Sequence, residues 1–253
     1  MPKNSIEEVR ELLVPLDDVK RLTEEARFTY YLLGFIFNEL NSLQKWISFA
    51  LPKHDDMRPI LREPEMGQAL FLFRLACGKI WEAHASLTSQ EVAGVLRQYV
   101  LPNMVNGTSR LKSLNSAIGA APWLPKLRNG LGFHFPRLRD WRPLIQPDES
   151  WVADSIYFAN QTGNTYYAGS ESIAQAWMFG LYGAAHIHEA VDPLIKQMID
   201  LLGQVNSFLE DAIGAFVTDE ILSSPQQVKN HGPLEAPRFE EVILPFWTSI
   251  PPP

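Results

Sequence analysis

The chain of 253 residues has one cysteine, Cys77, so an intramolecular disulfide is excluded and a reducing compartment fits. That thiol sits in "LFRLACGKIW", an apolar stretch in which a buried and unreactive side chain is expected. Long hydrophobic runs are lacking as well. The longest apolar or aromatic stretch, "YYLLGFIF" at 30–37, is too short to cross a bilayer. The acidic, amphipathic start "MPKNSIEEVRELL" does not have the layout of a signal peptide. The expectation is a soluble, cytoplasmic protein with no membrane partner. There is no basic excess either. A formal net charge of −7 argues against a broad surface for duplex nucleic acid, while leaving room for a local phosphate site.

Several chemistries are missing at the level of motif. The chain has no glycine-rich phosphate loop ending in Lys-Ser or Lys-Thr, no Gly-x-Ser-x-Gly elbow and no paired cysteines for zinc. No metal and no cofactor is expected.

What is present is a globular composition, with 46% apolar and 20% charged residues, long enough to bury a sizeable core. Seven tryptophans and fourteen phenylalanines fall mostly in apolar stripes, where core packing is the ordinary role. "SIEE" from Ser5 reads as a capping box opening a short first helix, which Pro15 separates from a long second one. In that second helix Leu22, Ala26, Thr29, Leu33, Phe37, Leu40, Leu43 and Ile47 recur at steps of three and four. A second long helix is predicted over Glu65–Leu87, and Ser89 caps another that reaches about Val105. "SIYFANQTGNTYYAGS" reads as a β-hairpin about a Thr-Gly-Asn turn, spanning about 153–169. Helices follow over about 172–222, with a break expected near Asp192-Pro193. Residues 223–253 read as an extended Pro-rich tail. The architecture expected is all-α: one helical domain over 1–222, with a small β-hairpin insertion and that tail.

Most polar candidates have a plain explanation. "HDD" at 54–56 resembles the start of an HD-type phosphohydrolase, but it lies in a Pro-bounded loop and reads as solvated. In "HIHE", His186 and His188 are two apart on a helix, about 200° of rotation, so they cannot share one metal. Asn38, Glu39, Arg74, Glu82 and His84 are polar groups on apolar helices, and such residues usually make boundary contacts or satisfy one another.

"KLRNGLGFHFPR" at 126–137 is different, because it interrupts a helical chain with Arg128, Asn129 and His134 around two glycines. Arginine is a permanent cation with a planar fork of donors suited to phosphate. Histidine can take and return a proton near neutral pH. Metal-independent RNA cleavage needs those abilities, a base for the ribose 2′-hydroxyl and a cation for charge growing on the phosphate. Six residues along a regular helix turn through about 600°, leaving Arg128 and His134 about 120° apart. They converge only if the helix breaks at Gly130 and Gly132, or if two copies share one site. The same residues also suit a mere connector, with Arg128 as a helix-end charge and His134 packed beside Phe133 and Phe135.

"LRNGLGFHF" resembles the signature of the HEPN superfamily (higher eukaryotes and prokaryotes nucleotide-binding): arginine, a polar residue, then histidine after five intervening positions. The helical likeness covers about residues 16–140. The resemblance implies a helical bundle, commonly a homodimer, with the motifs facing across the interface. It implies a metal-independent endoribonuclease in a defence, toxin or stress setting, or a non-catalytic relative that binds nucleotide, RNA or protein. Carried over, His134 is the acid–base, Arg128 steadies the phosphate, Asn129 supports them, and Glu39 on an early helix is a further supporting residue. Two positions after the histidine, where many toxin members carry a modifiable tyrosine, this chain has Pro136, so a nucleotidyltransferase partner is not expected.

Overall fold

The apolar stripe between Leu22 and Ile47 forms the buried face of one long helix, Glu24–Ala50, in which Ala26, Thr29, Leu33, Leu40, Leu43 and Ile47 are all buried. In this computed structural model, which describes residues 5–53, 58–146, 154–183, 187–224 and 228–249 (the side chains of Ser5 and of 187–191 excepted), the fold is mainly helical. The elements in chain order are β1 (Ser5–Leu12), α1 (Leu16–Lys20), α2 (Glu24–Ala50), α3 (Pro59–Leu87), α4 (Gln90–Val95), α5 (Gly107–Gly119), α6 (Trp123–Leu127) and α7 (Leu138–Trp141). After these come β2 (Ile156–Phe158), β3 (Thr165–Tyr167), α8 (Ala168–Leu181), α9 (Ile187–Ala215) and β4 (Val228–Ala236). Wide π turns extend three helices, at Leu96–Val100, Arg128–Gly132 and Phe216–Ile221.

The contacts divide the chain into two compact units. One comprises Met1–Ser42, Glu82–Ala120 and Leu201–Val242, the other Leu43–Trp81, Ala121–Asp200 and Ile243–Pro253.

The first unit buries Leu33, Leu40, Leu87, Leu96, Leu114, Ile118, Phe208 and Phe216. Ser89 caps α4 as its sequence suggests, its hydroxyl accepting from the Val92 amide at 3.4 Å. Asp18 closes the chain after the last π turn, accepting from the Ser223 hydroxyl at 2.8 Å and from Arg21 at 2.7 Å. The N-terminal segment departs from expectation. Ser5–Leu12 is a strand and not a capped helix, paired antiparallel with β4 from Ser5↔Ala236 to Leu12↔Val228. A bulge between Val9 and Arg10 leaves His231 unmatched and puts Gly232 at a φ of +83°, where a side chain would be strained. The Pro-rich tail is therefore partly a strand partner.

In the second unit the predicted hairpin is present, with Ile156↔Tyr167, Tyr157↔Tyr166 and Phe158↔Thr165 in register. The helix α3 begins earlier than expected, at Pro59, and tolerates Pro64 inside it. Proline has no amide hydrogen, so the Ile60 carbonyl four residues back loses its helical donor. The Trp247 indole N–H fills that vacancy at 3.0 Å. The Phe246 ring packs edge-on to Tyr166, and the segment is otherwise held through its backbone. The Leu244 amide donates to the Phe49 carbonyl at 2.8 Å, and the side chain of buried Asn164 bonds both the amide (3.1 Å) and the carbonyl (2.5 Å) of Thr248. Helix α9 runs through Pro193 without interruption. The expected break lies earlier, after α8, where Gly183 has a φ of +83°.

Candidate functional site

Helix α6 is anchored by buried Trp123, Leu124 and Leu127, with the Trp123 indole donating to Gln197 Oε1 at 3.0 Å. It then widens into the π turn Arg128–Gly132, which the Phe133 amide closes on the Arg128 carbonyl at 3.1 Å. Such wide turns recur at functional sites because they push side chains off the regular helical face. The chain leaves the helix at Phe133 (φ −123°, ψ −9°), turns through His134 and Pro136, and enters α7. The Arg137 amide donates there to Asp140 Oδ2 at 2.8 Å.

The glycines of this turn make room. Neither has a left-handed φ. A side-chain carbon on Gly130 would overlap the ring of Trp177 on α8, and one on Gly132 would come within 3.2 Å of the Arg74 carbonyl. The helix break is thus set by the π turn and Pro136, while glycine lets α3 and α8 approach the turn closely.

The second unit holds three of the four candidate residues; Glu39, on α2, belongs to the first unit. Arg128 and Asn129 are brought together, with Nη1 donating to Asn129 Oδ1 at 2.7 Å. The Arg128 guanidinium also lies 5.6 Å from the centre of the Phe133 ring, a cation–π contact. His134 is exposed and no hydrogen bond joins it to either residue. Its place is instead on a ridge that borders two clefts, and Arg128 lines neither.

The first cleft, about 560 Å³, is cationic. Lys126, Arg137 and Arg139 line it with Asn129 and His134, and Trp177 and Phe135 supply its aromatic surface. Its one carboxylate, Asp140, is engaged by the Arg137 amide and lies 3.5 Å from Arg139 Nε. Among the described residues no carboxylate pairs with Lys126 or Arg137. In a chain of net charge −7, this is the kind of local anion site that the overall charge leaves open.

The second cleft, about 500 Å³, is aromatic, lined by Phe71, Phe133, Phe135, Trp141, Tyr166 and Tyr167 around a polar floor. That floor is a buried ion pair: Arg74, 7% exposed, donates from Nη1 and Nη2 to the two oxygens of Glu171 at 2.6 and 3.2 Å. Burial pushes the Tyr166 phenol well above its ordinary range, and the charges of Glu171 and Glu63 add to the shift. Tyr166 therefore stays a neutral hydrogen-bonding group at physiological pH.

Sequence reasoning passed over Lys126, Arg137, Trp177 and the Arg74–Glu171 pair. The first two had a signal: "KLRNGLGFHFPRLRDW" interleaves basic and aromatic residues, the pattern of a single-strand binding surface. Trp177 and Glu171 lie about forty positions downstream and reach the site only through the packing of α8. His54, Asp55, Asp56 and His186 lie outside the described residues, as does the His188 side chain. Among the described residues no three His, Cys, Asp or Glu side chains gather as a metal site, and no helix is long and apolar enough to cross a membrane. No family model, curated protein or solved structure matches the chain.

Proposed function

We propose that this protein is a HEPN-like, cytoplasmic, metal-independent endoribonuclease that acts as a homodimer in defence or stress. The observation that carries the reading is His134, exposed at the end of an Arg-x5-His turn and bordering a cationic cleft. RNA cleavage of this kind proceeds by attack of the ribose 2′-oxygen on the adjacent phosphorus. A P–O bond forms, the bond to the 5′-oxygen breaks, and the products are a 2′,3′-cyclic phosphate and a 5′-hydroxyl. His134 takes the 2′-hydroxyl proton, and the histidine of a second copy returns one to the leaving oxygen. Lys126 and Arg137 hold the phosphate. Arg128 is tied to Asn129 and lines neither of these two clefts, so in this reading it acts across the two-fold interface on the partner's site.

The same tie favours a second reading, a non-catalytic module that binds RNA or nucleotide in the cationic cleft. One experiment separates them: purified protein and its His134→Ala and Arg128→Ala variants are incubated with single-stranded RNA in chelator. Cleavage by the wild type alone, leaving cyclic-phosphate ends, is expected. Retention of RNA without cleavage supports the binding module, and equal background cleavage by all three sinks the enzymatic reading.

A further inference from the structure

The proposed reaction accounts for the cationic cleft and leaves the aromatic one unused. Resting on that reading, we propose that the aromatic cleft is a nucleobase pocket, which receives a base of the RNA while the neighbouring phosphate lies in the cationic cleft. Three observations carry this.

The first is stacking surface that nothing covers. Phe135 is 97% exposed, and Phe71 and Tyr167 are exposed beside it. Water-facing aromatic clusters of this kind are costly unless a ligand covers them, and every base offers a flat face to stack.

The second is hydrogen-bonding capacity left inside an apolar wall. The Trp141 indole N–H, behind the cleft wall and without exposed surface, has no acceptor among the described residues. That is an uncommon state for a buried donor, and a turn of the ring toward a ligand would relieve it. Across the cleft, the Glu171 carboxylate keeps acceptor positions after receiving Arg74, and the Thr165 and Ser170 residues line the same space. An aliphatic ligand would leave all of these unmet. Every nucleobase carries both acceptors and donors along its edge.

The third is adjacency. His134 and Phe135 line both clefts. A nucleotide likewise joins a flat base to an anion through one sugar, and the sugar carries the hydroxyl that the reaction uses. Volumes of about 500 and 560 Å³ are within the usual range for small-molecule sites.

The test uses the full chain and ligands without phosphate. Adenosine, guanosine, cytidine and uridine are titrated by calorimetry and by tryptophan fluorescence, with inorganic phosphate and ribose 5-phosphate in parallel. Saturable binding of at least one nucleoside is expected, undiminished by excess inorganic phosphate. Phe135→Ala and Tyr167→Ala each weaken it roughly tenfold, as loss of a stacking partner does. Both side chains are exposed, and an unchanged circular dichroism melt confirms that the variants fold. The proposal is overturned if no nucleoside binds, or if both variants bind as the wild type does. The two readings fail separately: nucleoside binding without RNA cleavage removes only the nuclease, and cleavage without nucleoside binding removes only the pocket.

Discussion

The ring of Trp177 fills the space that a side chain on Gly130 would need, so one atom's absence seats the floor of the cationic cleft. Gly130→Ala forces the indole to move. Overpacking of this kind costs about 1–3 kcal/mol, toward the low end here because a ring yields more readily than backbone. A lower melting temperature with a shifted tryptophan emission is expected. An unchanged spectrum and melt would show that the indole does not rest there.

Arg74 and Glu171 form the most buried ion pair described in the second unit, and each is satisfied chiefly by the other. Removing one partner strands the second charge, which costs about 3–5 kcal/mol. Arg74→Met and Glu171→Leu should each lower the denaturation midpoint strongly. The double variant should lie well above the sum of the two losses, since it strands nothing. Additive losses in chemical denaturation would argue against the pair.

How far the sequence anticipates these features depends on the range of the interaction. The α2 stripe, the Ser89 cap and the hairpin are written in neighbouring residues, and periodicity or turn chemistry reveals them. Ser5–Leu12 misleads because Ile6, Val9 and Leu12 recur every three residues, as on a helix. Its strand partner begins at Val228, more than two hundred positions away, and no local signal announces it. The site divides in the same way. Arg128, Asn129 and His134 are legible as one motif, and their polarity says what chemistry they could perform. That His134 borders two clefts while Arg128 turns to Asn129 depends on a π turn and on α8 packing against it.

Lys126 and Arg137 should set the salt dependence of RNA binding. Each phosphate contact on a single strand contributes about 0.7 to the slope of log affinity against log salt. The Lys126→Ala, Arg137→Ala double variant should therefore bind more weakly at low salt, with a slope shallower by about 1.4. Filter binding across a salt series measures it. An unaltered slope would place the phosphates elsewhere.

His84 should make stability fall in mild acid. Burial lowers its pKa below the ordinary 6.5, and a hydrogen bond with Asn115 only partly offsets that. As pH drops below 6.5 the unfolded chain takes the proton before the folded one does. Its contribution is thus complete above the unfolded pKa and is lost as pH falls through the lower, folded value. Denaturation midpoints should decline as pH falls through 6.5 and below. His84→Gln should flatten part of that decline, and an identical pH profile in the variant would assign the effect to other groups.

Trp247 should be worth more because Pro64 is where it is. The indole donates to the Ile60 carbonyl, the acceptor that Pro64 leaves without a helical amide. Trp247→Phe keeps an aromatic ring and deletes the donor, at a cost of about 1 kcal/mol in the natural background. Pro64→Ala restores an amide to the helix, which can occupy the same carbonyl. The cost of Trp247→Phe should then shrink in the Pro64→Ala background, and a double-mutant cycle by urea denaturation reads the difference directly. Equal costs in both backgrounds would show that the contribution of the indole does not depend on the amide that Pro64 lacks.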